Sequence, residues 1–300
     1  MNERGERCGY VAIIGRPNVG KSTLLNHIIG QKLSITSRKP QTTRHNLMGI
    51  KTHRKAQIIF VDTPGIHAKQ AVALNRVMNR SALAAMHDVD VVLFVLDRAE
   101  WTLADQYVAK YLENIETPII IALNKVDVVQ HKDELLPHIE LLSKKFKNAA
   151  FIPISALAKT NIDLLLERII DVLPKKPFVF DSEEFTNRSE RFLVAEIIRE
   201  KITRRLGAEL PYQATVEIEK HTHIGNFIHI HAVIFVEREG QKKIIIGNKG
   251  QRLKAIGKNA RDDIETLLGC RVMLNTWVKV KNGWSDNERI LRSLGYDDGF

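Results

Sequence analysis

From residue 10 to residue 174, short apolar runs alternate with longer amphipathic stretches, a pattern that implies β-α units around a mostly parallel sheet. The runs predict buried strands over 10–14, 57–61, 89–96, 118–123 and 151–154, with 47–51 as an edge partner. The pattern breaks at Pro174-Lys175-Lys176-Pro177 and Asp181-Ser182-Glu183-Glu184, which reads as a linker. The division expected is therefore a first domain over 1–174, a linker over 175–186 and a second domain over 187–300. In the second domain, Phe192, Ala195, Ile198, Ile202 and Leu206 form one stripe of a helix over 189–206 that Gly207 would stop. Strands are predicted over 213–219, 226–237 and 271–281, and Leu253, Ile256, Ala260, Ile264 and Leu267 mark a helix over 251–268. The second domain is thus α+β. Residues 244–246 are too few for periodicity to assign.

Length and charge sharpen this picture. A chain of 300 residues has room for two hydrophobic cores. Its formal net charge of +10 favours a polyanionic partner, either nucleic acid or an anionic membrane surface. Cys8 and Cys270 have neither a nearby Cys partner nor zinc-like spacing, so two reduced thiols of a cytosolic protein are expected. No apolar run approaches the roughly 18 residues of a spanning helix, and the start of the chain lacks the apolar stretch of a secretory signal.

The chemistry sits at the ends of the predicted strands, where open α/β sheets bind ligands. Gly15-Arg16-Pro17-Asn18-Val19-Gly20-Lys21-Ser22-Thr23 lies between a strand and a helix and matches a phosphate loop. Its glycines let backbone N–H groups wrap the phosphates, Lys21 reaches the terminal ones, and Ser22 is a magnesium ligand. Asp62-Thr63-Pro64-Gly65 follows the 57–61 strand, placing Asp62 to hold magnesium and the Gly65 N–H to meet the γ-phosphate. Alone, that tetrapeptide is equally a plain turn. Asn124-Lys125-Val126-Asp127 supplies a carboxylate for N1–H and the 2-amino group of guanine, donors that adenine lacks, so the pattern selects GTP over ATP. Ser155-Ala156 offers a backbone N–H for the guanine oxygen. In the polar stretch 31–45, Thr43 is favoured as second magnesium ligand, with neighbouring Thr42 as competitor. Lys21, Thr43 and Gly65 are the candidate catalytic groups.

Gly247-Asn248-Lys249-Gly250 precedes the helix over 251–268 and matches the GXXG loop that clamps single-stranded backbone in KH modules. Lys242, Lys243, Lys249, Arg252, Lys254, Lys258 and Arg261 surround it, with no acidic residue between 242 and 261. A solvated basic helix face is the competing reading. His221, His223, His229 and His231 form two His-x-His pairs without evident Cys or acidic partners, and read as surface or RNA-facing.

The chain as a whole resembles the Era family of bacterial GTPases. The resemblance rests on these motifs, on Pro40-Gln41-Thr42-Thr43-Arg44, on Ile246-Gly247-Asn248-Lys249-Gly250, and on Trp277-Val278-Lys279-Val280-Lys281-Asn282-Gly283-Trp284. It implies an α/β Ras-like P-loop GTPase domain followed by an α+β type II KH domain, with a short helix at 242–246. It also implies binding near the 3′ end of small-subunit ribosomal RNA, a role in assembling that subunit, and loose association with the inner membrane face; a monomeric chain is expected. Ile66 stands where Ras-like enzymes place a water-orienting Gln, so slow intrinsic hydrolysis is expected, assisted by potassium at Asn18 or by a partner. Two other classes compete: a membrane signalling GTPase, opposed by the GXXG loop, and a metabolite kinase, opposed by guanine selection.

Overall fold

The computed structural model describes residues 5–296 apart from 38, 40, 41, 67–71, 99, 114 and 207–212, so Pro40, Gln41 and the Gly207 stop lie outside the described residues. The first sheet contains β1 (Arg7–Ile14), β2 (Leu47–His53), β3 (Ala56–Asp62), β4 (Val91–Asp97), β5 (Ile119–Asn124) and β6 (Ala150–Pro153), in the order β2-β3-β1-β4-β5-β6. Only β2 runs antiparallel to its neighbour. All seven residues of β3 and of β4 are buried, because helices cover both faces of a parallel sheet and leave no solvent side. On one face α1 (Lys21–Ile29) packs Leu24, Leu25 and Ile28 against Val11, Ile13 and Phe60. On the other, α2 (Ala73–His87), α3 (Leu103–Ala109) and α4 (Leu135–Lys145) pack Ala82, Val108 and Leu142 against Ala12, Val92 and Phe94. Each such fully buried Leu, Ile or Phe stabilises the fold by about 1.5–3 kcal/mol. The helix α5 (Ile162–Val172) returns to the first face through Leu165 and Ile169.

The stretch after α5 has no regular structure, yet it is pinned along the sheet. The buried Gln57 amide accepts from the backbone N–H groups of Val179 and Phe180 and donates to the Phe180 carbonyl. Ile50 donates its N–H to the Phe185 carbonyl at 2.9 Å. Phe178 and Phe180 pack beside Cys8, Met48 and Ile59.

Beyond it come α6 (Glu190–Arg205), β7 (Ala214–Ile224), β8 (Phe227–Val236), α7 (Glu239–Ile246), α8 (Gln251–Leu268), β9 (Arg271–Val280) and α9 (Glu288–Ser293). Ser189 caps α6, its hydroxyl accepting the Phe192 N–H, and Gly269 ends α8 in the left-handed conformation. The sheet order is β7-β8-β9, antiparallel then parallel. Ile198 and Ile202 of α6 and Ile256 and Ile264 of α8 pack on Ile230 and Ile234. Residues 242–246 are helical, as the family resemblance implies. Strand β7 runs past the expected 219 to Ile224, its pairing with β8 resuming after a bulge between Ile218 and Lys220. Beyond β9, the fully buried Trp284 packs against Leu74, Val77 and Met78 of α2, so the end of the chain leans on the first sheet's helices.

Candidate nucleotide site and RNA-facing surface

The phosphate loop spans the gap between Ile14, where β1 ends, and Lys21, where α1 begins. Gly15 and Gly20 hold φ of 149° and 103°; a Cβ on Gly15 would lie 2.5 Å from the Val95 carbonyl, and one on Gly20 would collide with Asn124 Nδ2. Neither position admits a side chain. Lys21 Nζ donates to the Gly15 and Arg16 carbonyls at 2.9 and 3.1 Å. Burial pushes its pKa down to about 8 against the pull of Asp62. The Arg16 guanidinium turns away, pairing with the fully buried Asp105 at 3.1 Å and with Glu100 at 3.3 Å.

Asp62 ends β3 with its side chain buried. Its Oδ2 accepts from Ser22 Oγ at 2.8 Å and Ser34 Oγ at 2.7 Å, with Thr43 Oγ1 3.4 Å away. Ser22 Oγ and Thr43 Oγ1 are 2.7 Å apart. Asp62 Oδ1 is buried without a hydrogen-bond partner, and burial raises this carboxyl's pKa. An orphaned carboxylate oxygen among hydroxyls is the hard, oxygen-only donor set that magnesium prefers. Thr42 Oγ1 instead donates to the Lys39 carbonyl at 2.6 Å. Thr63 Oγ1 donates to the Ile13 carbonyl at 2.8 Å, which fixes Pro64 and Gly65 beside the loop. A Cβ on Gly65 would lie 2.8 Å from Pro17.

A cavity of about 510 Å³ runs from this cluster to the base-reading motif, lined among others by Pro17, Asn18, Gly20, Lys21, Ser22, Thr23, Thr43, Gly65, Asn124, Lys125, Asp127 and Ala156. Asn124 Nδ2 donates to the Val19 carbonyl at 2.7 Å, tying the far motif to the phosphate loop. Asp127 Oδ1 accepts from Ser155 Oγ at 2.5 Å, and Lys125 Nζ pairs with Asp97 at 2.6 Å. Of the backbone N–H groups that Ser155-Ala156 offers for the guanine oxygen, that of Ala156 is donated here to Asn124 Oδ1 at 2.9 Å. The lining also includes Ile35, Thr36 and Ser37 from the polar stretch 31–45, and two residues that no motif marks, Val128 and Leu157. The exposure of Leu157 and Val128, 74% and 55%, is the signal that finds them: apolar side chains left open at the rim suit the flat face of a purine.

The segment carrying Thr43 is not a free loop. Arg199 of α6 is buried, pairs with Glu196 at 2.6 Å, and donates to the Thr42 carbonyl. Arg44 Nη1 donates to the Ala214 carbonyl of β7 at 2.9 Å. Glu200 accepts from Lys32 Nζ at 2.5 Å and from the Thr36 N–H at 3.0 Å. The polar side of α6, which the stripe pattern leaves to solvent, is therefore buried against Lys32, Thr36 and Thr42.

At the GXXG loop, Gly247, Lys249 and Gly250 take positive φ of 73°, 46° and 76°. A left-handed lysine costs about 1–2 kcal/mol, strain of the kind that collects at functional loops. A Cβ at Gly247 would meet Arg252 Cβ at 2.6 Å. Asn248, Lys249, Arg252, Lys254 and Lys258 are exposed along the loop and α8, with Lys243 exposed at the end of α7. Lys242 pairs with Glu239 at 3.8 Å. The two His-x-His pairs separate: His221 and His223 face the helices opposite Ile230 and Ile228, while the His231 ring lies 5.2 Å from Trp277 on the open face. Against expectation, His221 has an acidic neighbour, with Glu190 Oε2 3.5 Å from its Nε2.

Residues 10–125 match the family model described as "50S ribosome-binding GTPase", and residues 209–285 match the KH domain. GTPase Era of Pseudomonas aeruginosa PAO1 is 60% identical over 294 residues, covering 98% of this chain and 96% of that protein. GTPase Era of Pseudomonas putida KT2440 is 60% identical over 292 residues, with 97% of each chain covered. Among solved structures, a single-residue variant of Aquifex aeolicus Era bound to GDP and AlF4⁻ superposes with a TM-score of 0.94 at 39% identity, covering 97% of this chain and 99% of that one. Era in complex with MgGDPNP and nucleotides 1506–1542 of 16S ribosomal RNA gives the same TM-score, identity and coverage.

Proposed function

This chain belongs to the Era family of GTPases, and from that premise we propose that it is a GTP-driven switch that binds small-subunit ribosomal RNA near its 3′ end and acts in assembling that subunit. One observation carries the switch reading. The segment that brings Thr43 to Ser22 and Asp62 is the segment that α6 and β7 grip through Arg199, Glu200 and the Ala214 carbonyl. A γ-phosphate that draws Thr43 inward therefore pulls on the RNA-binding domain, an effector-driven shift between two packings of one seam.

In this reading Gly15 to Thr23 cradle the phosphates, and Ser22, Thr43 and Asp62 hold magnesium, which neutralises charge on the transferring phosphoryl group. Lys21 and the Gly65 N–H stabilise the same charge, while Asn124, Lys125, Asp127, Ser155 and Ala156 read guanine. Ile66 is buried beside Ala12, Ile14 and Phe94 and orients no water, so intrinsic hydrolysis is slow. Asn18 lines the cavity with a φ of 66° and is the proposed potassium ligand. The domains divide at the segment 175–186, and the protein acts as a monomer.

RNA is bound by Gly247, Asn248, Lys249 and Gly250, aided by Lys242, Lys243, Arg252, Lys254 and Lys258; the exposed basic side chains support this. The formal charge of +10 also suits peripheral contact with the cytoplasmic face of the inner membrane. Among the described residues no helix is long and apolar enough to cross a membrane. Asn248→Asp with Lys249→Asp tests the assignment. The double variant is expected to lose affinity for a 16S 3′-end RNA fragment while RNA-free GTP hydrolysis is unchanged, and retained affinity places RNA elsewhere.

A further inference from the structure

Outside the nucleotide site, the described residues bring one set of metal-binding groups together. The ligand atoms of Glu190, His221 and His223 lie within 4.8 Å of one another. Glu190 opens α6, the first helix after the pinned stretch, and the two histidines sit two apart on β7, so their rings share the face turned toward that helix. Their cross-strand partners Ile230 and Ile228 belong to the buried core, which fixes that face independently.

The His221 ring is the telling member. Its side chain is only 8% exposed, and its Nε2 is buried without a hydrogen-bond partner. That nitrogen lies 3.5 Å from Glu190 Oε2, beyond the roughly 2.7–3.2 Å of an N–H···O hydrogen bond. Two ligands of one tetrahedral ion with metal bonds of about 2.0–2.1 Å stand roughly 3.3 Å apart. The gap is thus slightly long for a hydrogen bond and close to the edge of a zinc tetrahedron. The centroids of the His221 and His223 rings are 5.8 Å apart and the ring planes cross at 69°, so neither stacks on the other.

We propose that Glu190, His221 and His223 form a binding site for a divalent transition cation of the zinc class, which staples the start of α6 to the end of the β7–β8 hairpin. Two imidazoles and one carboxylate select zinc, cobalt or nickel over magnesium and calcium, which take all-oxygen sets. Three protein ligands leave one position for water. The other pair, His229 and His231, lies on the opposite face and takes no part.

The test uses tag-free full-length protein saturated with magnesium and GDP, so that the nucleotide site is filled. Cobalt is titrated as the probe and zinc is used to displace it. Wild type is expected to bind one cobalt with the visible absorption of a tetrahedral N/O site, which zinc abolishes, and to melt at a higher temperature with zinc than without. His221→Ala and His223→Ala should each weaken zinc at least about tenfold, the lower end of what even an outer-shell loss costs. Glu190→Gln, on an exposed helix start, should do the same with at most a small fall in the metal-free melting temperature, from its lost charge in the first turn of α6. His229→Ala should bind as wild type. Absence of the tetrahedral band in wild type, or its survival in all three ligand variants, overturns the proposal.

Discussion

Replacing Glu200 by alanine removes the carboxylate through which α6 holds residues 32–36. The group is fully buried and accepts from Lys32 Nζ at 2.5 Å, the Thr36 N–H at 3.0 Å and Arg204 Nη2 at 3.0 Å. Lys32 keeps Asp263 at 2.6 Å, and Arg204 keeps the Thr36 carbonyl at 3.1 Å, so neither cation is stranded. Both lie partly in solvent, and each lost pair costs about 0.5 kcal/mol. The Thr36 N–H loses its acceptor in a part-buried setting, worth about 1–2 kcal/mol. Relief of the carboxylate's own desolvation returns a share. The net loosening is about 1–2 kcal/mol, which raises local opening about 5- to 30-fold. Hydrogen exchange followed by mass spectrometry in the GDP-bound protein reads this directly on peptides covering 31–37. Glu200→Gln, which keeps an acceptor for Thr36, should show a smaller rise. Unchanged exchange in that segment of Glu200→Ala would mean that α6 does not hold it.

Asp127→Asn is expected to weaken GTP binding and favour xanthosine nucleotides, because an amide donates to the 2-oxo group that replaces the amine; equal affinity for GTP in nucleotide competition contradicts this. Lys21→Ala should lose affinity and turnover together, and full activity would dismiss the phosphate loop. With the Lys21 pKa near 8 in the empty site, the phosphate-binding charged form is depleted as pH rises through 8. GTP affinity should therefore fall between pH 8 and 9.5 in wild type, and a flat profile by calorimetry argues against that lysine. Ile66→Ala should retain most GTPase activity per folded molecule, but because the side chain is buried it should cost about 2–4 kcal/mol in urea unfolding. A severe loss of turnover at full stability would give Ile66 a chemical role.

What could be read from the sequence was local. The apolar runs that became β1, β3, β4, β5 and β6 carry their own period, and Gly15, Asp62, Asn124 and Ser155 stand at or just past strand ends, in the places an open sheet offers a ligand. The stripe Ile198, Ile202, Leu206 likewise marks one buried side of α6. Its other side was not legible: Arg199 and Glu200 are charged, and their burial depends on partners 157 and 168 residues away. The same holds for Gln57, an ordinary polar residue in a strand that binds the stretch after α5, and for Trp284, which packs on α2. Glu190 and His221 meet across a helix start and a strand, leaving no motif. Periodicity reports the neighbours a residue has along its own element, and all four features are contacts between elements.

Coupling between the nucleotide state and the RNA surface is proposed to run through the seam between Thr43 and α6. Its most direct test is the affinity of the full chain for a 16S 3′-end RNA fragment, measured by fluorescence anisotropy at one fixed salt concentration with GDP and with a non-hydrolysable GTP analogue. An affinity difference of about tenfold is expected, a coupling of about 1.4 kcal/mol, that shrinks in Glu200→Ala while nucleotide affinity persists. Equal RNA affinity in the two nucleotide states would contradict it.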